Sequence, residues 1–370
     1  MAAVTPITAT ALASVTPSAA ALTTPSKRVI AFVQLSFDGV CNYYTGVGTV
    51  VLQTQSLIAE MNRDPQQPYH IKSYLITACN PTFRYYSDPI LEKNRAVCEQ
   101  TGGKVVMLSH STLNSPFATF PDWDRLCHEG AETCVEIIRQ NTYTLIVAHD
   151  TTYAHVPMKI RKALATCSEI KSHRILWVPH GTGLLFQDKE ERQRWELTAA
   201  QGANEGGYKI GYTGQYFKEH FQSPPFSMPS TSLEPYLLGI LPDSYLEPLS
   251  EAQITPVLQT HSIPLDKMII FSLGRSVIWK GHDITLELYR HLKQEHPELH
   301  LVLLAPPTSM LDYSSNLEKR INTEKLEVTF LLYCHRKHWT RICDILNRKT
   351  KEIQNGRWWS NQTMDCSTQD

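Results

Sequence analysis

The sequence predicts an α/β protein with two domains, each built on parallel strands. Short apolar runs of the kind that form buried parallel strands alternate with segments whose apolar residues recur at helical spacing. In each half of the chain, a predicted strand runs into a glycine-containing loop that leads to a helix, as in a strand–helix–strand unit. The length of 370 residues suits two such domains, and a 42% share of hydrophobic residues excludes a chain that is disordered throughout.

The first domain opens with the strand VIAFVQLSF, the loop DGVCNYYTGVGT and the helix VVLQTQSLIAEM. Further strands are predicted from IKSYLITA, GKVVMLS, YTLIVAHD and RILWVPHGTG. Helices are predicted from ETCVEIIRQ and PMKIRKALATC. This order indicates a Rossmann-like domain with five strands up to about residue 185.

The second domain repeats the pattern on a smaller scale. The strand KMIIFSLGR leads through a Gly-Arg loop to the amphipathic helix HDITLELYRHLKQEHP, followed by the strand LHLVLLAPP, the helix NLEKRINTEK and the strand LEVTFLLYC. Only three strands fit into this part of the chain, which would make a small open sheet. The second Rossmann-like domain is therefore predicted to be incomplete.

Composition indicates the domain boundaries. Residues 1–26, rich in Ala, Thr, Ser and Pro and without a positive charge, predict a disordered extension rather than a secretory signal. Residues 27–221 form the predicted N-terminal domain, and eight prolines between 222 and 264 indicate an interdomain connection. Residues 265–334 then form the partial C-terminal domain, and 335–370 an atypical tail.

Charge and cysteine usage exclude several classes of protein. With 35 Lys and Arg against 36 Asp and Glu, the chain lacks the basic excess of a general nucleic-acid or anionic-membrane binder. No apolar run approaches the roughly 18 residues of an integral membrane segment. The nine cysteines are scattered and never form a CxxC pair. They predict thiols in a reducing, cytoplasmic compartment rather than a disulfide framework or a zinc site.

Two glycine loops carry candidate binding residues. In LGRSVIWKGHD, Gly274 turns the chain after a strand, and Arg275 and Lys280 precede a helix N-terminus, an arrangement that suits a diphosphate. The alternative is a pair of solvated surface cations. Gly46 and Gly48 precede the first helix and would let the backbone approach a ligand, or they form a structural tight turn.

These segments resemble motifs of family 4 glycosyltransferases. GRSVIWKGHDITLELYRHL is similar to the family's GR-x-x-x-x-KG signature, and TGVGTVVLQTQSLIAEM looks like its glycine-rich opening. YTLIVAHD resembles its H-A-H-D strand end, with Val147 in place of the first histidine, and VPHG resembles its His-Gly strand end. The four matches occur in the family's order.

The resemblance implies two Rossmann-like domains facing a cleft, the GT-B architecture, with a nucleotide sugar bound by the C-terminal domain. Arg275 and Lys280 would neutralise the departing nucleoside diphosphate. Together with Gly274, and with Gly46 and Gly48 from the first loop, they would form the donor site. His149 would lie near the transferred sugar as a third catalytic residue, or would be a histidine that is hydrogen-bonded at a strand end.

By the same resemblance, the N-terminal domain would bind a small hydroxyl acceptor. Asp38, Asp150 and His180 lie at strand ends or in the first loop and are candidate acceptor-binding residues, although Asp38 is equally suited to a loop N-cap. Aromatic residues near the first loop suggest a sugar or cyclitol acceptor, or they are packing residues: Tyr43, Tyr44, Tyr85 and Tyr86. No metal ion or other cofactor is expected, and His155 is expected to start a helix without a chemical role.

One family motif is missing. The E-x7-E segment that should follow the third strand of the C-terminal domain has no counterpart, since Glu324, Glu327 and Glu352 form no such pair. The leading hypothesis, which the resemblance implies, is a glycosyltransferase that moves a hexosyl group from a nucleotide sugar to a hydroxyl with retention, and the missing motif makes its activity the open question. The alternatives are a catalytically inactive, truncated relative that retains the acceptor domain, or a nucleotide-sugar epimerase of the same architecture.

Overall fold

The computed structural model describes residues 27–42, 46–83, 86–108, 120–165, 172–185, 190–236, 250–305 and 311–331. The predicted extension over 1–26, the predicted tail over 335–370 and three of the four candidate aromatic residues, Tyr43, Tyr44 and Tyr85, lie outside these ranges. The chain divides into two compact units, Met1–Leu241 and Pro242–Asp370.

The first unit is built on a seven-stranded sheet in which all neighbouring strands are parallel, with the order β3-β2-β1-β4-β5-β6-β7. The strands are β1 (Arg28–Leu35), β2 (Tyr69–Thr77), β3 (Lys104–Met107), β4 (Tyr143–His149), β5 (Ser172–Val178), β6 (Lys209–Tyr212) and β7 (Leu233–Pro235). The helices are α1 (Gly46–Arg63), α2 (Asp88–Gln100), α3 (Phe120–Gln140), α4 (Val156–Leu164), α5 (Glu190–Asn204) and α6 (Gln215–Gln222).

Apolar side chains cover both faces of this sheet. Along β2, Tyr74 and Ile76 belong to the main core, which includes residues of α3, α4 and α5. Leu75 points to the other face and packs with Val51 of α1 and Cys98 of α2. A strand that is covered on both faces reads as a continuous apolar run, which explains why β1, β2 and β4 could be recognised in the sequence.

The second unit contains a three-stranded parallel sheet with the order β10-β9-β8. Its strands are β8 (Met268–Leu273), β9 (Leu299–Leu304) and β10 (Val328–Leu331), and its helices are α7 (Glu251–Thr260), α8 (His282–Glu295) and α9 (Leu311–Thr323). Leu301 and Leu303 of β9 face α8 and α9, whereas Val302 packs with residues of α7. Central strand β9 is buried along its whole length.

The predicted α/β architecture with two parallel sheets is confirmed, and the strands predicted in each unit are present. The structure adds strands β6 and β7 to the first sheet. The stretch 222–264, expected to be a connection, contains β7, which pairs with β6 in the first unit, and α7, which packs in the second. Among the described helices, none is long and apolar enough to cross a membrane.

Candidate functional site

The first sheet reverses its strand order between β1 and β4. Strands β2 and β3 lie on one side of this point, and β5, β6 and β7 lie on the other. Parallel sheets commonly bind ligands outside the carboxyl ends of their strands at such a switch point. The residues that end or follow β1, β4 and β5 therefore form the candidate site of the first unit.

His149 ends β4, and its side chain is completely buried. Its Nε2 lies 3.2 Å from Gln34 Oε1 on β1, and its Nδ1 lies 3.0 Å from His180 Nε2. The two imidazole rings stack with centroids 5.3 Å apart. Both ring nitrogens of His149 are thus engaged inside the protein, and half-buried His180 is the ring of the pair that retains exposure.

The histidine pair is uncharged at neutral pH. Burial lowers the pKa of His149 well below its usual value, and the neighbouring His180 lowers it further. Burial also lowers the pKa of His180, although the negative charge of Asp150 opposes the shift. The pair can therefore offer hydrogen bonds, rather than a positive charge, to a group at this edge of the sheet.

Asp150 follows His149 in a strained backbone conformation. Its φ of 64° lies in the left-handed region, which costs free energy for a residue with a side chain. Its N–H donates to Val178 O at 3.0 Å, and its carbonyl oxygen accepts from Trp177 Nε1 at 3.0 Å. Two bonds to β5 thus hold the turn that brings the Asp150 carboxylate into electrostatic contact with His180.

A buried ion pair on α5 joins the segments that follow β4 and β5. Glu196 is completely buried and accepts hydrogen bonds from the Thr151 hydroxyl, from Gly183 N–H at 2.7 Å and from Arg192 Nε at 2.9 Å. Arg192 also donates to Thr151 Oγ1 at 3.0 Å and to Gly181 O at 3.2 Å. We call this pair the α5 clamp. It holds Thr151 and Gly181, the residues that directly follow Asp150 and His180.

The loop after β1 packs closely against α1. Asp38 is buried, and its Oδ1 accepts a hydrogen bond from Gly39 N–H at 2.9 Å. A Cβ at Gly48 would lie 2.7 Å from the same oxygen, whereas a Cβ at Gly46 would meet nothing within 4 Å. Both Gly46 and Gly48 lie in the first turn of α1, not in the loop before it as expected. Packing against Asp38 accounts for the glycine at position 48.

His155 lies directly before α4, as expected for a helix start. Its ring stacks on Trp195 with centroids 3.4 Å apart, and its Nε2 lies 2.8 Å from the Trp195 carbonyl oxygen. Burial lowers the pKa of His155 to about 4. The neutral ring satisfies both contacts, so its role is structural.

In the second unit, the loop between β8 and α8 carries the predicted cations. Arg275 is half-buried, and Lys280 is exposed with its aliphatic chain against Gly274. The loop is tied to β9 by Gly274 N–H, which donates to Leu304 O at 3.1 Å, and to Ala305 O by the Ser276 hydroxyl at 2.8 Å. The side chain of His282, the first residue of α8, also contacts the loop.

Several residues of these sites were not predicted from the sequence: Gln34, Arg192, Glu196 and His282. Gln34 gives one signal, because it interrupts the apolar strand run VIAFVQLSF with a polar side chain. Of the four candidate aromatic residues, Tyr86 is the one that lies within the described ranges. It is half-buried and packs against the main core. Within the described ranges, no group of three or more His, Cys, Asp or Glu residues could hold a metal ion.

Comparison with solved structures finds glycosyltransferases with a similar fold. A glycosyltransferase from Rickettsia africae is 12% identical, with 86% of this chain and 71% of that chain covered and a TM-score of 0.57. Sucrose-phosphate synthase from Thermosynechococcus elongatus is 14% identical, with coverages of 87% and 74% and a TM-score of 0.56. An alpha,alpha-trehalose-phosphate synthase (UDP-forming) from Burkholderia xenovorans, solved in complex with glucose-6-phosphate, is 13% identical, with coverages of 85% and 77% and a TM-score of 0.51.

At these identities the likeness shows a shared fold. The neighbours are glycosyltransferases, but they do not single out family 4. No family model matches the chain, and no curated protein matches it in sequence.

The packing of α1 on the first loop predicts opposite results for its two glycines. Gly48→Ala should lower the free energy of unfolding by about 1–3 kcal/mol, because the added methyl group overlaps the Asp38 carboxylate. Gly46→Ala should be neutral or stabilising by up to about 1 kcal/mol, since the site is open and alanine favours a helix. Urea unfolding measures both. Equal stability of the two variants would contradict the packing account.

The depressed pKa of His155 predicts acid sensitivity. Between pH 6.5 and about 4 the unfolded chain binds a proton at this residue and the folded protein does not. The free energy of unfolding should therefore fall as the pH falls through this window, by up to about 3 kcal/mol from this group. His155→Gln should flatten that slope in urea unfolding from pH 7.5 to 4.5, whereas His128→Gln, at an exposed position on α3, should not. An unchanged slope in His155→Gln would refute the assignment.

The α5 clamp predicts a large cost for removing its carboxylate. Glu196→Ala leaves the Arg192 guanidinium largely buried without this ion-pair partner, which should lower the free energy of unfolding by roughly 3–5 kcal/mol. Glu191→Ala, at an exposed position on the same helix, should change it by no more than about 0.5 kcal/mol. Urea unfolding at pH 7.5 compares the two variants, and a Glu196 variant as stable as the Glu191 control would rule out the clamp.

Proposed function

We propose that the protein is a glycosyltransferase that moves a hexosyl group from a nucleotide sugar to a hydroxyl acceptor with retention of anomeric configuration. The observation that carries the proposal is the loop from Gly274 to Gly281, which leaves the carboxyl end of β8 with Arg275 and Lys280 and leads into α8. The fold that the chain shares with known glycosyltransferases supports it.

In this proposal the loop of the second unit binds the diphosphate of the donor. Departure of a nucleoside diphosphate builds negative charge on the phosphate oxygens, and fixed positive groups lower the free energy of that state. Arg275 offers a planar fork of N–H donors, whereas Lys280 offers a mobile point charge. The N-terminus of α8 follows directly and adds the positive end of a helix dipole. Gly274 lets the Lys280 side chain lie across the loop backbone.

The first unit would bind the acceptor at the carboxyl edge of its sheet. His180 and Asp150 are candidates for hydrogen bonds to acceptor hydroxyls, and Asp38 is a buried carboxylate at the same edge. Buried His149 would act through His180 by holding its ring, rather than by touching a sugar. A neutral imidazole beside a carboxylate suits hydroxyl groups, so a sugar or cyclitol is the proposed acceptor class.

The proposed mechanism assigns charge neutralisation to side chains, so no metal ion is invoked. Because Arg275 and Lys280 would provide the positive charge, binding of the nucleoside diphosphate should resist chelators such as EDTA. Donor specificity would depend on contacts to the base and sugar, for which UDP, GDP and ADP sugars are the candidates. One fold neighbour is a UDP-forming synthase, which makes a UDP sugar the first donor to test.

The donor assignment predicts selective loss of nucleotide binding. Arg275→Ala and Lys280→Ala should each weaken UDP binding by about 10- to 100-fold in calorimetry with EDTA, since a hydrogen bond to a charged group contributes roughly 1.5–3 kcal/mol. Arg290→Ala on α8, where 41% of the side chain is exposed, and Lys319→Ala, at an exposed position on α9, are matched controls in the same unit and should bind UDP as the wild type does.

Two outcomes would count against the proposal. Equal losses of UDP affinity in all four variants would show that Arg275 and Lys280 contribute no more to binding than other surface cations do. Failure of the wild type to bind UDP, UDP-glucose, GDP-mannose and ADP-glucose at millimolar concentration would favour a catalytically inactive protein that retains the fold.

A further inference from the structure

The imidazole of His282 is built into the loop that carries the two cations. It is completely buried at the first position of α8. Its Nε2 lies 3.1 Å from Gly274 O and 3.1 Å from Arg275 O. Both partners are carbonyl oxygens, which only accept, so Nε2 carries the proton and donates to two consecutive peptide groups.

These two bonds fix the course of the loop backbone. The Arg275 carbonyl oxygen also accepts from Val277 N–H at 2.8 Å, while Gly274 N–H is bound to Leu304 O. The peptide planes on both sides of the Arg275 Cα are thereby held, and the direction in which its side chain leaves the backbone follows from them. The Lys280 side chain lies against Gly274, because a Cβ added at Gly274 would lie 3.2 Å from Lys280 Cγ.

The surroundings of the other ring nitrogen, Nδ1, indicate that a histidine is present here because its Nε2–H donates hydrogen bonds. Nδ1 of His282 is buried and has no hydrogen-bond partner among the described residues. A buried acceptor without a partner costs free energy that a leucine at this site would avoid. A side chain chosen for packing alone would not carry that cost, whereas a side chain that must donate to two carbonyl groups would.

We infer that His282 is a positioning residue that holds the loop from Gly274 to Gly281 in the conformation that binds a nucleoside diphosphate. The inference rests on the proposed function for the identity of the ligand. His282 acts through the Gly274 and Arg275 peptide groups and does not itself touch the phosphates. Its contribution is to pre-organise Arg275 and Lys280, so that little ordering of the loop is left to the binding step.

The test compares substitutions at His282 that keep or remove a hydrogen-bond donor. In His282→Gln, the amide Nε2 is as many bonds from Cα as the imidazole Nε2 and can still donate. In His282→Leu the donor is lost at similar bulk. His291→Leu, at an exposed position on the same helix, is the matched control. UDP affinity is measured by calorimetry, and exchange of backbone amide hydrogens over 274–281 by mass spectrometry.

His282→Leu should weaken UDP binding by about tenfold and speed amide exchange over 274–281, as expected for the loss of two neutral hydrogen bonds. His282→Gln should stay within about threefold of the wild type, and His291→Leu should be unchanged. If the leucine variant does not fold, His282→Asn, whose shorter amide cannot reach both carbonyl groups, takes its place. The inference would be overturned if His282→Leu or His282→Asn bound UDP with wild-type affinity. It would also be overturned if the glutamine and leucine variants lost UDP affinity equally.

The two readouts separate this inference from the proposed function. If the wild type does not bind UDP or a nucleotide sugar, the proposed function fails, and the diphosphate part of the inference fails with it. The exchange measurement still decides whether His282 holds the loop. If the wild type binds UDP and His282→Leu binds it equally well, the proposed function stands and the positioning role is wrong.

Discussion

The ion pair between Arg192 and Glu196 connects the segments on which the candidate site of the first unit depends. Glu196 takes hydrogen bonds from the residues that follow Asp150 and His180, and its burial would be unfavourable without them. The clamp thereby links two separate strand ends through one helix. The strained turn at Asp150 and the stacked ring of His180 directly precede Thr151 and Gly181, the residues that the clamp holds.

The two units offer different chemistry at equivalent places in their sheets. In the first, two neutral imidazoles, of which one is buried, lie at the ends of β4 and β5 beside the Asp150 carboxylate. In the second, the loop after β8 presents two cations ahead of a helix N-terminus. The proposed function assigns a hydroxyl acceptor to the former and an anionic nucleotide-sugar donor to the latter.

Much of this architecture could be predicted because buried parallel strands are apolar along their whole length. Strands β1 to β5 and β8 to β10 lie in such runs, whereas β6 has the sequence KIGY, with a lysine and a glycine, and β7 has three residues and ends in proline. Strand ends pointed to His149 and His180, but not to which of them is buried. Gln34, Glu196 and His282 were missed because their contacts join residues that are far apart in the chain or depend on the path of a loop.

The difference in exposure between the two candidate sites has a consequence for ionic strength. Mobile ions screen a charge that water reaches, and at physiological salt this screening acts over about 8 Å. Lys280 and half-buried Arg275 lie within its reach, whereas the buried contact between His149 and Gln34 does not. If the proposed function holds, added salt should weaken binding of the anionic donor and leave binding of an uncharged acceptor nearly unchanged, so that salt concentration separates the two binding steps.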